Sequence, residues 1–500
     1  MAKFYVLGID QSTQGTKAVL FDHNGKMIAR ADKAHRQILV KDQISHDPEE
    51  IYRNVLYVIK AVVEKSGIDK NQILCMGIDN QRETTVAWNR ESGKPVAHAI
   101  VWQCNRAREI CKRIGKSESQ EKYIYENTGL KLSPYYPAGK MAWFLENIPE
   151  ARELAEKKKL ALGTVDSWLI YKLTKGQELK TDYSNASRTQ LLNLKTQKWD
   201  EEVCRIFGIS PDLLPEICDS DSIFGYTDLD GYLEKRIPIS SVLGDSHGAL
   251  YGHNCKEAGK IKVTYGTGSS IMMNTGDTLY LSKYGLSTSI AWRANGRTSY
   301  VLEGNINYTG AVISWLKDQL GLISSTVEVE GLAKKANFAD NTYIVPAFSG
   351  LGAPWWRDDV QAQITGMSRM TGKAEIVRAA CDCICYQIND VIEAMRKDTK
   401  IAISELCVDG GPTRNQYLMQ FQSDISGSSL KVPDIEELSV TGAGFMAGEK
   451  MGYYDPAEIY RTISYNIFTP SMENTEKEKK LAGWGEAIKS CLSKGGQNTL

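Results

Sequence analysis

Two short glycine-bearing loops, each directly after an apolar strand, constrain this sequence more than any other feature. The first loop spans residues 11–17 (QSTQGTK), after a strand predicted over 4–9, and the second spans 266–270 (GTGSS), after a strand predicted over 260–264. Backbone N–H groups and hydroxyls in such loops can donate to phosphate oxygens. Because the loops open the two halves of a 500-residue chain, they predict a duplicated phosphate clamp.

The rest of the pattern supports two similar halves. Strands predicted over 18–21 and 27–31 and a helix over 48–65 follow the first loop, whereas strands over 271–274 and 300–302 and a helix over 310–320 follow the second. A chain of this length is too long for a single core. We therefore expect an α/β protein with two domains, residues 1–250 and 251–500.

Composition excludes several classes of function. The formal net charge of −1 provides no general attraction to nucleic acid or to an anionic membrane. No apolar run reaches the roughly 18 residues that a membrane span needs, and the first apolar stretch is too short for a signal peptide. The eleven cysteines lack framework spacing, so we expect a cytoplasmic protein in a reducing compartment.

The first loop has two charged neighbours with open interpretations. Asp10 stands at the end of the first predicted strand, where a carboxylate can hold hydrated Mg²⁺ against nucleotide phosphates. The alternative is an aspartate in a turn at the strand end. Lys17 is the last residue of the loop and can neutralise phosphate charge, or can be an ordinary surface lysine.

Two further clusters follow predicted strands. Residues 79–83 (DNQRE) gather donors and acceptors where ligands bind in open α/β sheets, although a surface ion pair explains them equally well. Asp245 follows a strand predicted over 239–243, at the domain junction, and can accept a hydroxyl proton or serve as a helix cap. A buried structural role is expected for the adjacent His247.

Three other segments are less informative. Residues 409–415 (DGGPTRN) predict a glycine turn into a helix, which either approaches a flat ligand or only caps the helix. The three cysteines at 381–385 lie on a helix predicted over 376–395 and are expected to be buried rather than metal-bound. The charge run at 476–480 predicts a solvated terminal helix.

Taken together, the motifs resemble the FGGY carbohydrate kinases, and most of all the members that act on glycerol. The resemblance runs nearly end to end and rests on long segments. These are QRETTVAW at 81–88, AIVWQ at 99–103, YYPAGKMAW at 135–143, GTVDSWLI at 163–170, TDYSNASR at 181–188, VPAFSGLGAP at 345–354, AQITGM at 362–367 and MQFQSD at 419–424.

This resemblance implies two actin/hexokinase-like (ribonuclease H-like) α/β domains with the active site in the cleft between them. It also implies an ATP- and Mg²⁺-dependent kinase that phosphorylates a terminal hydroxyl of a small polyol, glycerol to glycerol 3-phosphate as first choice. In such transfer, positioning and charge stabilisation supply most of the rate. The implied partners are ATP and the polyol or sugar, and a homo-oligomer (dimer or tetramer) is expected.

The resemblance assigns the site residues by position. Asp245 matches the catalytic base, and Asp10 would hold Mg²⁺ through water. Positions that match nucleotide contacts are Thr13, Gln14, Gly15, Lys17, Thr267, Gly310, Ser314, Gly411 and Asn415. Positions that match the polyol pocket are Thr13, Arg82, Glu83, Trp102, Tyr135, Asp245, Ser246 and Ser270.

Three departures from the family pattern leave the substrate open. Members that act on glycerol usually have Gln in place of Ser246, Phe in place of Ser270 and Arg in place of Lys17. The two serines remove bulk and apolar cover, which would suit a larger polyol or ketose such as erythritol, threitol, xylitol or xylulose. A remote alternative is a non-catalytic, actin-like nucleotide-binding regulator, which the retained Asp245 and polyol set disfavour.

Overall fold

The computed structural model describes residues 4–494 and confirms the predicted α/β class. The strands are β1 Tyr5–Gln11, β2 Gly15–Phe21, β3 Met27–Ala34, β4 Ile38–Val40, β5 Gln43–His46, β6 Ile73–Asn80, β7 Thr85–Asn89, β8 Ala99–Ile100, β9 Leu160–Thr164, β10 Lys180–Asp182, β11 Leu192–Asn193, β12 Lys198–Trp199, β13 Glu216–Cys218, β14 Gly225–Thr227, β15 Ile237–Gly244, β16 Ile261–Tyr265, β17 Ser269–Gly276, β18 Ser287–Ala294, β19 Arg297–Ile306, β20 Tyr343–Val345, β21 Gln363–Thr365, β22 Glu405–Asp409, β23 Ser429–Pro433 and β24 Tyr465–Phe468. The helices are α1 Pro48–Ser66, α2 Arg108–Ile114, α3 Glu118–Thr128, α4 Pro137–Asn147, α5 Pro149–Glu156, α6 Val165–Leu173, α7 Tyr183–Ala186, α8 Glu201–Phe207, α9 Asp245–Gly252, α10 Gly310–Asp318, α11 Glu328–Lys335, α12 Lys373–Thr399, α13 Gln416–Ser426, α14 Leu438–Lys450 and α15 Asn474–Lys494.

Two large sheets repeat one topology. In the first, of order β14-β15-β6-β1-β2-β3, β1 pairs antiparallel with β2 and parallel with β6. In the second, of order β18-β19-β17-β16-β22-β23-β24, β16 pairs antiparallel with β17 and parallel with β22. Each glycine-bearing loop connects the antiparallel pair of its sheet. The structure therefore confirms that the second half of the chain restarts the plan of the first.

Helix α1 illustrates how local sequence determines an element. The Asp47 side chain accepts from the Glu49 amide at 2.9 Å, Pro48 occupies the first turn, and Gly67 ends the helix with a φ of 67°. The buried stripe includes Ile51, Val55 and Val62 and packs on the first sheet. These signals are visible in the sequence, and the predicted helix over 48–65 is confirmed.

Helix α14 comes late in the chain but packs on the first sheet. A Cβ placed on Gly77 of β6 would lie 2.3 Å from the carbonyl oxygen of Ala443 in α14. On β15, Ser241 donates to the same carbonyl at 2.6 Å. Where α9 and α14 cross, Gly442 approaches the carbonyl of Gly248 as closely as only a glycine can. Helix α14 therefore joins the two halves directly below the strand ends that carry the candidate site.

One expectation about the terminal helix is wrong. Helix α15 is not fully solvated, because Trp484 and Ile488 are buried. The Trp484 ring stacks on Tyr386 with centroids 5.1 Å apart, and its Nε1 donates to Asp390 at 2.9 Å. The charge run at 476–480 describes only the first turns of this amphipathic helix, and the apolar residues that follow form its packed face.

Helix α12 carries the three clustered cysteines in the interior of the second half. Cys381, Cys383 and Cys385 are all buried, and burial raises the pKa of each thiol. Thiols in this environment behave as small apolar side chains. Within the described residues, no group of three or more His, Cys, Asp or Glu side chains is arranged to hold a metal ion.

Candidate active site at the strand ends

Three parallel strands of the first sheet end side by side and bring acidic groups to one edge. Asp10 of β1 pairs in register with Asp79 of β6, which on its other side pairs with Leu243 of β15. Asp245 follows two residues later, at the start of α9. Asp10 and Asp79 are buried, whereas the Asp245 side chain is 36% exposed. Of the three carboxylates, Asp245 is therefore the one that a substrate reaches most easily.

The two buried carboxylates create a strongly acidic pocket. Burial raises the pKa of Asp10 and of Asp79; repulsion from Asp245 adds to both shifts, and Lys17 opposes them. Among residues 4–494, no hydrogen-bond donor other than the neighbouring carboxyl of Asp10 lies within reach of the Asp79 oxygens. Unpartnered buried carboxylate oxygens are costly unless a cation neutralises them, and oxygen ligands of this kind suit Mg²⁺.

Lys17 stands at this edge between two carboxylates. Its Nζ lies 3.2 Å from Asp10 and 2.8 Å from Glu437, the residue before α14. Burial would lower the pKa of Lys17, but the two carboxylates outweigh that effect and raise it. Glu437 had no signal in the sequence, because it is 420 residues away from Lys17 and precedes a helix with no recognised motif.

Arg82 connects Asp245 to the second half of the chain. Its Nε lies 3.1 Å from Asp245 Oδ1, and its two terminal nitrogens donate to Glu303 of β19 at 3.0 and 2.7 Å. Burial would raise the pKa of Glu303, but Arg188 and Arg82 hold it well below its usual range. The result is a charged bridge between the halves, next to the candidate base.

Arg188 extends this bridge and was not singled out from the sequence. It donates to Glu83 at 2.6 Å through Nε, and its Nη1 lies 2.9 Å from Glu303. Its side chain is buried, as are both partners. Glu83 adopts a φ of 61°, so the two arginines and two glutamates hold a strained backbone position. The signal for Glu303 was a charged residue directly after the apolar stretch 300–302 of its strand.

Two aromatic side chains close the pocket beside these charges. The Trp102 indole donates to Thr13 Oγ1 at 2.9 Å, and its ring lies edge-on to Tyr135 with centroids 5.6 Å apart. Behind them, the buried Lys140 donates to the backbone carbonyls of Tyr135 and Glu83. Burial lowers the pKa of Lys140 to about 7. The structure thus joins Thr13, Trp102 and Tyr135 by direct contacts and places Tyr135 near the charges of Glu83 and Arg82.

Two of the three departures from the family pattern, Ser246 and Ser270, lie next to each other beside Asp245. Ser270 Oγ lies 3.5 Å from Ser246 Oγ and 3.3 Å from Glu303 Oε1. The buried Lys262 donates to Ser270 Oγ at 3.2 Å, and burial lowers the pKa of this lysine. Both serines are partly exposed. They line the pocket with hydroxyl groups next to Asp245.

The second glycine loop is connected to the start of α10. The amides of Thr309 and Gly310 donate to the carbonyls of Thr267 and Gly266, both at 2.9 Å. A Cβ on Gly310 would lie 2.9 Å from the Gly266 carbonyl oxygen, so this close approach favours glycine. The loop is exposed at Thr267. Ser314 is exposed one turn further along α10, and no hydrogen bond joins it to the loop among the described residues.

The third glycine segment forms the turn from β22 to α13. Gly410 has a φ of 100°, and a Cβ there would lie 2.0 Å from the carbonyl oxygen of Tyr265. Gly411 is exposed, with no atom within 4 Å of an added Cβ. Asn415 caps α13 by accepting from the Leu418 amide at 3.0 Å. The capping interpretation of Asn415 is confirmed, and it leaves the side-chain amide for a ligand.

A cavity of about 510 Å³ connects this turn to the first loop, with Lys17, Glu437 and Gly411 among its walls. At the tip of the first loop, the Ser12 amide donates to the Gly15 carbonyl at 2.8 Å, and the Gln14 side chain is exposed. Of the predicted nucleotide residues, Lys17 and Gly411 line this cavity. No hydrogen bond joins Gln14, Thr267 and Ser314 to one another in the described chain.

His247 is buried directly behind Asp245. Neither ring nitrogen has a hydrogen-bond partner in the part of the chain that is described. Burial holds its pKa well below the usual range, with Arg82 adding to the shift. Because the imidazole is fully buried, a substrate hydroxyl cannot reach it, in agreement with the expected structural role.

Comparisons with known proteins agree with this geometry. The N-terminal domain of the FGGY family of carbohydrate kinases matches residues 5–252, and the C-terminal domain of that family matches residues 261–449. Glycerol kinase 1 of Thermotoga maritima is 47% identical over 98% of this chain and 100% of its own length. Glycerol kinase of Natranaerobius thermophilus is 43% identical, with 98% of each chain covered.

Solved structures of carbohydrate kinases also resemble this chain over nearly its whole length. The crystal structure of Plasmodium falciparum glycerol kinase with ADP superimposes with a TM-score of 0.92 at 35% identity and covers 98% of each chain. A ligand-bound xylulose kinase from Lactobacillus acidophilus shares the fold, with a TM-score of 0.89 at 23% identity over 99% of each chain. In the described chain, no helix is long and apolar enough to cross a membrane. The chain belongs to the FGGY family of carbohydrate kinases, with their two-domain, actin/hexokinase-like fold.

Proposed function

We propose that this chain is an ATP-dependent kinase that phosphorylates a terminal hydroxyl of a small polyol, with glycerol as the first choice. The observation that carries the proposal is Asp245, a partly exposed carboxylate that Arg82 Nε holds at 3.1 Å inside the polyol pocket. The relatives named glycerol kinase, at 43 to 47% identity over nearly the whole chain, support the choice of glycerol.

In the proposed reaction, Asp245 accepts the proton of the attacking hydroxyl. The Ser246 amide donates to Oδ1 at 2.6 Å, and Arg82 holds the same oxygen, so Oδ2 is the oxygen assigned to the substrate. Fixing one oxygen orients the other and reduces the entropy lost on binding. Arg82, Glu83, Trp102, Tyr135 and Thr13 would position the polyol. The contacts of Trp102 with Thr13 and Tyr135, and the nearness of Tyr135 to Glu83 and Arg82, support this assignment.

The nucleotide is proposed to lie along the cavity between the two halves. Thr13, Gln14, Gly15 and Lys17 on one side and Thr267 on the other would bind its phosphates. Gly310, Ser314, Gly411 and Asn415 would contact the remainder. The exposed, glycine-rich backbone at Gly266 and Gly411 supports this assignment, because it allows close approach of a ligand.

The acidic edge of the first sheet fits a divalent cation. The two buried oxygens of Asp79 have no hydrogen-bond donor within reach in the described chain except the carboxyl of Asp10, its partner in register. We propose that Asp10 holds Mg²⁺ through water, with Asp79 beside it. When bound, the ion would neutralise charge on the nucleotide phosphates. The ammonium of Lys17 would add to that neutralisation.

A larger polyol or ketose is the second candidate substrate. Ser246 and Ser270 present two hydroxyls, 3.5 Å apart, in the same pocket. Additional substrate hydroxyls can bind to these groups, whereas a glycerol molecule leaves them to solvent. Erythritol, threitol, xylitol and xylulose are the candidates to compare with glycerol.

A coupled assay of ADP release with each of these substrates and MgATP tests the function. We expect turnover with glycerol or with at least one longer substrate. The absence of turnover with every substrate would contradict the proposal and favour a non-catalytic nucleotide-binding regulator. Polyol-stimulated ATP turnover would exclude that alternative.

We further propose that residues 1–250 and 251–500 form the two domains of a cytoplasmic homo-oligomer, a dimer or tetramer. Buried free thiols such as Cys75, Cys204 and Cys383 support a reducing compartment. Light scattering coupled to size exclusion measures the mass of the assembly. A single 55.7 kDa species would contradict the oligomer.

A further inference from the structure

Glu437 reaches from the start of α14 to two cations of the first sheet. Its Oε2 lies 2.8 Å from Lys17 Nζ on β2, and its Oε1 lies 2.6 Å from Arg30 Nη1 on β3. The side chain is only 9% exposed. Each carboxylate oxygen therefore holds a different cation, and a partly buried geometry of this kind is more strongly constrained than a surface ion pair.

The backbone of Glu437 is also held by hydrogen bonds. Its carbonyl accepts from the Thr441 amide at 3.0 Å and from Thr441 Oγ1 at 2.7 Å, in the first turn of α14. The helix itself is packed on the glycines of β1 and β6. The position of the Glu437 carboxylate is thus determined by the contact between the two halves.

Lys17 needs such a partner because of its own chemistry. A lysine ammonium is a compact charge on a flexible stem and has no fixed fork with which to orient itself. Here it is 28% exposed and lies between Asp10, at 3.2 Å, and Glu437. Two carboxylates on different elements define one position for the ammonium at the wall of the cleft.

We propose that Glu437 is a positioning residue that places the Lys17 ammonium for phosphoryl transfer. This inference rests on the proposed function, which assigns Lys17 to the nucleotide phosphates. Lys17, Arg30, Asp10 and Glu437 form a set with no net formal charge. Neutralising Glu437 leaves an excess positive charge near the phosphates but releases Lys17 from its place.

Turnover and ground-state binding should therefore respond differently. An ammonium that is displaced at the moment of transfer lowers kcat, whereas the added positive charge keeps KM for ATP from rising. A residue that served only the stability of the fold would lower the melting temperature and leave the kcat of the folded enzyme unchanged.

The kinetic test compares Glu437→Gln with Glu449→Gln. Glu449 lies at the other end of α14, is 11% exposed and binds Lys256 at 3.1 Å, so it matches Glu437 in burial and in the lost ion pair. We expect about a tenfold loss of kcat for Glu437→Gln, with KM for ATP and for the polyol not raised. The inference would be overturned if both variants lost kcat by the same factor relative to the parent. It would also be overturned if the kcat of Glu437→Gln stayed within about twofold of the parent.

A second measurement does not depend on turnover. The rate at which acetic anhydride modifies the Lys17 amine, followed by mass spectrometry of the peptide, reports how firmly the ammonium is held. We expect Glu437→Gln to raise this rate about threefold or more and Glu449→Gln to leave it unchanged. An unchanged labelling rate for Glu437→Gln would overturn the inference, whether or not the parent enzyme is active. An inactive parent would contradict only the proposed function.

A conservative variant covers the case in which Glu437→Gln fails to fold. Glu437→Asp retains the charge but shortens the side chain by one methylene, so it cannot hold both cations at their present distances. We expect its kcat to be lower and its Lys17 labelling rate to be higher than those of the parent, each by less than the change expected for Glu437→Gln. Parent-like values for both quantities would overturn the inference.

Discussion

Both terminal nitrogens of Arg82 donate to the carboxylate of Glu303, at 3.0 and 2.7 Å, which leaves its Nε for Asp245. This bidentate pair joins β6 of the first sheet, through the segment that follows it, to β19 of the second. The orientation of Asp245 therefore depends on a residue that lies 58 positions further along the chain.

Glu303→Gln is expected to destabilise the fold severely. Removing the Glu303 charge leaves two buried arginines with one carboxylate each, Asp245 for Arg82 and Glu83 for Arg188. Breaking a buried ion pair in this way typically costs about 3–5 kcal/mol. Urea unfolding measures this loss. Glu146→Gln, which breaks the exposed pair with Arg113, is the control and should cost less than about 1 kcal/mol. Similar losses of unfolding free energy for the two variants would show that the buried bridge contributes no more to stability than a surface ion pair.

Asp245→Asn is expected to abolish turnover while nucleotide binding is retained. A positioned general base typically contributes a factor of about 10² to 10⁴, so kcat should fall by that range while the Kd for ADP stays within about twofold. Asp219→Asn is a matched control, because Asp219 also lies beside an arginine Nε, that of Arg293, at 3.2 Å. An unchanged kcat for Asp245→Asn would remove this residue from the mechanism.

Much of the fold could be predicted because its signals are local. The capped helix α1, the strand before each glycine loop and the repeated plan of the two halves all follow from short-range patterns. The terminal helix α15 was wrongly expected to be solvated, because the charge run in its first turns is more conspicuous than the spacing of Trp484 and Ile488.

The site was less predictable, because the residues that hold its charged side chains in place come from distant segments of the chain. Asp245 and Arg82 stand at strand ends, where the sequence can be interpreted. Glu437 acquires its role only when α14 packs on the first sheet, 420 residues from Lys17. Arg188 and Glu303 likewise meet only through the fold. No local pattern encodes such pairs.

Gly77→Ala is expected to be more destabilising than Gly8→Ala. Both glycines lie under α14, but a Cβ on Gly77 would meet the backbone oxygen of Ala443 at 2.3 Å, whereas a Cβ on Gly8 would first meet a side-chain methyl of Val440 at 2.5 Å. A side chain adjusts more easily than a helix backbone. We expect a loss of roughly 3 kcal/mol or more for Gly77→Ala in urea unfolding.

Gly331→Ala in α11 is the control for this pair. Nothing lies within 4 Å of a Cβ at that position, so alanine should stabilise the helix by about 0.5–1 kcal/mol. Equal losses for Gly8→Ala and Gly77→Ala would contradict the stronger constraint that the backbone of α14 imposes at Gly77.

Lys140 gives the stability of the fold a specific pH dependence. Burial lowers its pKa to about 7 in the folded chain, against about 10.4 in an unfolded one. Between these values the unfolded state binds more protons, so this lysine makes stability rise with pH by up to about 1.4 kcal/mol per unit. Below pH 7 both states are protonated and the contribution is constant.

Lys140→Met should therefore flatten the rise in unfolding free energy between pH 7 and pH 9. The exposed Lys112→Met, in which only a surface pair with Glu109 is lost, should retain the slope of the parent. Parallel profiles for Lys140→Met and the parent would show that Lys140 does not titrate in this window.

Ser270→Phe tests whether the hydroxyl-lined pocket selects longer substrates. The Ser270 hydroxyl lies 3.2 Å from Lys262 Nζ and 3.5 Å from Ser246 Oγ, so a phenyl ring would fill the space and remove a polar contact. We expect kcat/KM for erythritol and xylitol to fall by about tenfold or more relative to glycerol, measured by competition between substrates. Ser270→Thr keeps the hydroxyl and should preserve the ratio. An equal loss of kcat/KM for all substrates would mean that the ring disturbs Asp245 and does not change the specificity. If the parent enzyme shows no turnover with the longer polyols, glycerol remains the proposed substrate.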